Sequence, residues 1–183
     1  DACFVEDKIW MCPFDDRDLV IFDTISGKFH TREWHHGKEK FGLIRHYKDW
    51  VVFLSKETFE SILLVNKNTY EEKRIRLDID WVEKSIPMYV TAHIAGPYLF
   101  LPPYRAHEYI MVNLETGRVQ ADESLYNDMY SRGCEMGRYQ SVFRYESKLI
   151  YSSDMPGWPL MIHDLKDNEV MFANFRVDED GYS

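Results

Sequence analysis

Short apolar runs broken by Gly, Pro, Asp or Asn follow one another from Ala2 to Phe175, in four groups of four. The first group reads ACFVE, KIWMCPF, DLVIFDT and GKFHTREW, and the second FGLIRHY, DWVVFLS, SILLVNK and EEKRIRL. The third is YVTAHIA, PYLFLPP, EYIMVNL and GRVQADE, and the fourth YQSVFRY, KLIYSSD, PLMIHDL and EVMFANF. Runs this short, rich in β-branched and aromatic residues and punctuated this often, predict strands rather than long helices. In each group the second run is almost continuously apolar (IWM, WVVFL, YLFL, LIY), as expected of a strand covered on both faces. The fourth run is more polar, as in EEKRIRL and RVQADE. It belongs at a solvent-facing edge, where charge also discourages edge-to-edge association.

The groups repeat. Between the third and fourth strands of each stands an Asp or Asn followed four positions on by a turn position: Asp23 to Gly27, Asn66 to Tyr70, Asn113 to Gly117, and Asp164 to Asn168. The anchors are spaced 43, 47 and 51 residues apart. A carboxylate or amide at the start of such a corner accepts hydrogen bonds from backbone amides ahead of it. Gly27 and Gly117 permit the positive φ a tight turn needs, and Asn168 tolerates it. Tyr70 breaks the rule, so a strained or differently shaped turn is expected there. Two connections are candidates for short helices: Asp122 to Arg138, with Leu125 and Met129 on one face, and LDIDWVEKSI around Trp81. A hairpin turn at Asp7-Lys8 would set Glu6 opposite Ile9 and Cys3 opposite Cys12.

A period of this length built from short strands, with an apolar second strand and an Asp/Asn-x-x-x-Gly corner, resembles the β-propeller superfamily. The resemblance covers Ala2 to Phe175 and implies an all-β array of four four-stranded antiparallel blades, at about residues 2–36, 41–80, 88–124 and 139–177. It carries no Gly-His/Trp-Asp, double-glycine or regular tryptophan signature, so it implies architecture and no particular activity. The first repeat starts on its innermost strand and the fourth ends on its outermost. Three closures follow: a ring of four, half of a larger propeller completed by a second copy in a homodimer, or part of a longer chain. The non-Met first residue favours the last of these.

Composition narrows the function classes. Aromatics make up 15% of the 183 residues and hydrophobics 45%, enough to bury a core. With 31 acidic against 22 basic residues the formal charge is -9, which argues against nucleic acid as a partner. No apolar stretch approaches the length of a membrane-spanning helix, and no membrane partner is expected. Cys3, Cys12 and Cys134 form no metal-binding spacing, and their odd number argues against a disulfide framework. The histidines form no His-Glu-x-x-His pattern. His35-His36 with Asp15-Asp16 is the one metal pairing worth inspection, and neither a metal nor a cofactor is expected.

In a propeller of this strand order, the loops from second to third strand and from fourth strand to the next blade share one face. Loops on a rigid scaffold are where binding residues concentrate. They hold Phe14, Asp15, Asp16 and Arg17; His35, His36 and Lys38; Tyr104, Arg105 and His107; and Asp154 and Trp158. Rings for contact area beside charged groups that fix orientation suit a polar small molecule, a glycan or a protein partner. The binding candidates on this face are Arg17, Tyr104, Arg105, His107 and Trp158. Counting back five residues from each second strand gives Phe4, Arg45, His93 and Arg144, so three basic groups fall on innermost strands lining a channel. They suit an anion, unless carboxylates between blades pair them. The sequence therefore reads as a noncatalytic binding module. The alternatives are an enzyme with acid/base groups gathered from several blades and a domain that assembles a larger ring.

Overall fold

The computed structural model describes residues 1–13, 18–36, 39–55, 60–77, 89–104, 106, 108–122, 139–155 and 158–173. Within them lie sixteen strands in four sheets and no helix. Blade 1 comprises β1 (Ala2–Val5), β2 (Lys8–Met11), β3 (Leu19–Asp23) and β4 (Lys28–Arg32); blade 2 comprises β5 (Phe41–Tyr47), β6 (Trp50–Ser55), β7 (Ser61–Asn66) and β8 (Glu72–Arg76). Blade 3 comprises β9 (His93–Ala95), β10 (Tyr98–Leu101), β11 (Tyr109–Asn113) and β12 (Val119–Asp122); blade 4 comprises β13 (Tyr139–Tyr145), β14 (Lys148–Ser153), β15 (Leu160–Asp164) and β16 (Glu169–Ala173). Every sheet is an antiparallel meander in chain order. The innermost strand β5 runs alongside β1 on one side and β9 on the other. The fold is all-β and propeller-like. The two candidate helical connections, in 122–138 and around Trp81, fall on residues outside those described, save for Asp122, which ends β12, and Leu77, which follows β8 and donates its amide to Glu60 O at 2.8 Å.

Strand alternation decides which blade each side chain meets. The last pairs before the four hairpin turns are Val5/Lys8, Tyr47/Trp50, Ala95/Tyr98 and Tyr145/Lys148. Counting these as zero, second-strand residues at odd positions face the preceding blade and those at even positions the following one, because successive side chains leave opposite faces of a sheet. Val51 and Phe53 accordingly meet Val5, Trp10, Leu19 and Ile21 in a core between blades 1 and 2. Val52 and Leu54 meet Leu99 and Leu101 between blades 2 and 3. Phe100 meets Leu149 and Tyr151 between blades 3 and 4. The second strands are apolar because they feed two cores each. At about 1.5–3 kcal/mol for each fully buried large apolar side chain, these three layers are the main force holding sheet to sheet.

The first hairpin lies one residue earlier than the sequence reading placed it. Its turn residues are Glu6 and Asp7, so Cys3 stands opposite Trp10 and Phe4 opposite Ile9. The first turn residue takes positive φ in every blade, at Glu6 (54°), Lys48 (53°), Gly96 (56°) and Glu146 (53°). Only one of these is a glycine, which is why composition did not reveal the register. Cys3 and Cys12 are free thiols. Burial pushes them up to about 11 and about 12 respectively, and the Cys12 thiol lies 3.8 Å from the Leu43 carbonyl. Both are protonated packing residues at neutral pH. Cys134 lies outside the described residues.

Candidate functional site

The loop face between blades 3 and 4 is built by β10, which delivers Tyr104 just beyond its end, by the first residues of β13, and by the β14–β15 connection. Tyr139 ties them: its amide donates to Pro103 O at 3.2 Å and its hydroxyl to Pro159 O at 3.4 Å. The next residue, Gln140, is exposed, and its amide nitrogen donates to the Asp154 carboxylate at 2.6 Å and to the Tyr104 hydroxyl oxygen at 3.4 Å. Trp158 sits in the same connection as Asp154, with its amide on Met155 O at 3.2 Å. The structure thus brings the Tyr104 hydroxyl, the Gln140 amide and the Asp154 carboxylate from two blades together, with Trp158 following in the same connection as Asp154. Gln140 was not singled out in the sequence, where it reads as one polar residue at the start of a strand. Arg17, Arg105 and His107, with Phe14, Asp15, Asp16 and Lys38, lie outside the described residues.

The inner-strand basic residues come from three blades. Arg45 reaches from β5 towards blade 3, donating from Nε to Ala92 O at 2.7 Å. Its Nη1 donates to the Asp1 carboxylate at 2.6 Å and to Ile44 O at 2.7 Å. His93, opposite Phe100, occupies the same register position as Arg45, opposite Val52. Arg144, opposite Leu149, and Phe4, opposite Ile9, are one position nearer the turn. By register Arg144 lies on the blade 3 side of its strand and His93 on the blade 4 side of its own; Arg144 is exposed, its Nε donating to Glu146 O at 3.0 Å. Burial, the Arg144 charge and then the Arg45 charge hold the His93 pKa below its ordinary value. Its Nε2 is buried and has no hydrogen-bond partner among the described residues.

A third arrangement was not anticipated. Tyr109 on β11, Tyr151 on β14 and His163 on β15 meet between blades 3 and 4, with the two hydroxyls 2.7 Å apart and the Tyr109 hydroxyl 2.9 Å from His163 Nδ1. His163 Nε2 donates to Asn168 Oδ1 at 3.1 Å. Nδ1 is then the acceptor, Tyr109 donates to it, and Tyr151 donates to Tyr109, so a neutral imidazole satisfies the whole chain. Burial lowers the His163 pKa and raises those of both tyrosines. Beside this chain lies a cleft of about 280 Å³ lined by Met111, Gln120, Asp122 and Val170. The signal in the sequence was polar groups interrupting apolar third strands (EYIMVN, LMIHD), since a buried polar atom requires a partner.

Near the first loop, His36 is occupied rather than poised for a metal. Arg74 donates to its Nδ1 at 2.9 Å, and its Nε2 lies 3.2 Å from Glu72. His35 is exposed, 3.7 Å from Glu33. Among the described residues no three His, Cys, Asp or Glu side chains gather into a group able to hold a metal ion.

No known protein family profile and no curated protein matches the chain. Solved structures do. The extracellular domain of BT4673 from B. thetaiotaomicron superposes with a TM-score of 0.61 at 12% identity, over 97% of this chain and 22% of that one. The computationally designed protein Ika8 gives 0.60 at 8% identity, over 92% of this chain and 46% of that one. The N-terminal domain of Nup159 gives 0.54 at 11% identity, over 96% of this chain and 47% of that one. At these identities the likeness is one of fold, a β-propeller-like array. The chain spans less than half the length of each of these structures.

Proposed function

We propose that this chain is a noncatalytic propeller-like module that presents the loop face between blades 3 and 4 to a polar partner, a glycan or a polar protein segment. The reading rests on one observation: Gln140 holds the Asp154 carboxylate and the Tyr104 hydroxyl together, with Trp158 in the same connection. Rings give contact area at low entropic cost, and an amide beside a carboxylate orients hydroxyl or amide groups. Arg105 and His107, neighbours of Tyr104 in the chain, and Arg17 of the first repeat remain binding candidates from the sequence and lie outside the described residues. Its test is a glycan array and a peptide array probed with the wild type and with Asp154→Ala and Trp158→Ala. Binding to one chemical class, weakened at least about tenfold in each variant, is the expected result. Binding that neither variant alters removes this face.

A second reading places an anionic group against Arg45, His93 and Arg144. It is favoured by the unpartnered, buried Nε2 of His93, whose pKa burial and the Arg144 and Arg45 charges all lower; Arg45 also pairs with the Asp1 carboxylate. Titration with inorganic phosphate should shift the His93 imidazole resonances and raise its pKa, because an anion favours the charged form. Resonances that stay unmoved contradict it.

A further inference from the structure

We propose that a second copy of this chain closes the array, the outward face of blade 4 in one copy mating with the outward face of blade 1 in the other, twice, to give an eight-bladed ring. This goes beyond the ligand-binding reading and does not depend on it.

The terminal faces carry the same pattern that is buried between successive blades. Cross-strand register lines up Phe4, Ile9, Phe22 and Phe29 in one row across blade 1. These are the odd positions, which in blades 2, 3 and 4 are buried against the preceding blade. On blade 4 the register lines up Phe143, Ile150, Ile162 and Met171. These are the even positions, which in blades 1, 2 and 3 are buried against the following blade. Yet here the rows lie open: Phe4 is 63% exposed, Phe29 64%, Phe143 52% and Met171 44%. Core clusters among the described residues join blade 1 to 2, 2 to 3 and 3 to 4, and none joins 4 to 1. Among the described residues the array is therefore an open arc rather than a closed ring of four.

The two open faces have opposite polarity. Setting blade 4 of one copy before blade 1 of another repeats the front-to-back relation of all three existing junctions, and a two-fold axis along the channel makes the second junction identical to the first. Pairing blade 1 with blade 1 would put two odd faces together, a relation found nowhere in the chain. The span fits as well: the arc accounts for 46% of the designed protein Ika8 and 47% of the Nup159 domain, so two arcs amount to one such structure. A face four strands wide and five residues long covers about 300 Å², so two junctions of two faces each bury about 1,200 Å². That reaches the lower range of stable interfaces, at about 1,200–2,000 Å².

Sedimentation equilibrium of the full chain at micromolar concentration is the test, with Phe29→Glu and Met171→Lys as variants. The wild type is expected at twice its 21.9 kDa, and each variant alone at the single-chain mass. Mixing the two variants in equal amounts should restore the two-chain species, because such a pair has one unaltered junction and one Glu–Lys junction. Phe4→Glu with Phe143→Lys repeats the design at the inner strands, and an unchanged far-UV circular dichroism spectrum checks that each variant is folded. A wild type at the single-chain mass overturns the proposal, as do open-ended higher oligomers. So does a Met171→Lys variant that stays dimeric while Phe29→Glu dissociates, the signature of pairing through blade 1 alone.

Discussion

Tyr70 stands where two of the three equivalent corners have glycine, and it adopts the same left-handed backbone, with φ 60° against 67° at Gly27 and 75° at Gly117. The turn is neither reshaped nor avoided; its cost, about 1–2 kcal/mol for a residue with a Cβ, is offset by what the ring touches. The Arg32 guanidinium lies 4.1 Å over the ring centroid and the Trp10 ring 5.8 Å away, so a corner of blade 2 clamps blade 1. Tyr70→Ala keeps the backbone cost and loses the ring, and should lower unfolding free energy by about 2 kcal/mol in urea titrations. Tyr70→Gly loses the same ring but relieves the backbone, and should be about 1 kcal/mol more stable than the alanine variant; equal stability would contradict this account. His163 sets the second residue-scale expectation. Its pKa is lowered in the folded chain by burial, so below the unfolded value of about 6.5 the unfolded chain binds the extra proton and stability falls as pH falls towards the depressed folded value. Urea titrations between pH 5 and 7 should show this slope reduced in His163→Gln, and an unchanged slope would place the acid sensitivity elsewhere. The sequence marked Tyr70 as an exception but not its cause, since the partners of the ring lie a blade away in the chain.

At the scale of single elements, the Asp/Asn anchors act as the repeat pattern implied. Asp23 Oδ1 accepts from the amides of Ile25 at 3.1 Å and Ser26 at 2.7 Å. Asn66 accepts from Asn68 at 2.9 Å and Thr69 at 3.0 Å, and Asn113 from Glu115 and Thr116, both at 3.0 Å. Asp164 accepts from Lys166 at 3.0 Å. Asn113→Ala removes two of these bonds from an exposed corner and should cost about 1–2 kcal/mol in thermal or urea unfolding. Gly117→Ala should cost about 1 kcal/mol through its positive φ alone, since an added Cβ meets nothing closer than an Ile75 carbon at 4.0 Å. A neutral outcome for both would mean the corners do not hold the third and fourth strands together. All sixteen strands were legible because the apolar period and the corners agree with each other. The hairpin register was not, because Glu6, Lys48 and Glu146 take a glycine-like backbone without glycine's mark in the sequence.

For the molecule as a whole, the apolar second strands and repeat period made the radial array readable, and strand counting brought Arg45, His93 and Arg144 onto neighbouring inner strands. What it did not show were links between blades, such as Gln140 to Tyr104 or Tyr109 to His163, which join residues 36 and 54 positions apart. Such pairs depend on the angle at which one sheet meets the next, and no local pattern encodes it. The same angle carries the largest consequence of the structure: among the described residues, four blades stacked front to back leave an exposed apolar row on blade 1 and another on blade 4. Small-angle X-ray scattering of the wild-type chain in solution tests this most directly. A forward intensity equal to two chains, with a distance distribution of a flat ring around a central channel, is the predicted result. Scattering from a single 21.9 kDa arc, or from an elongated open assembly, would contradict it.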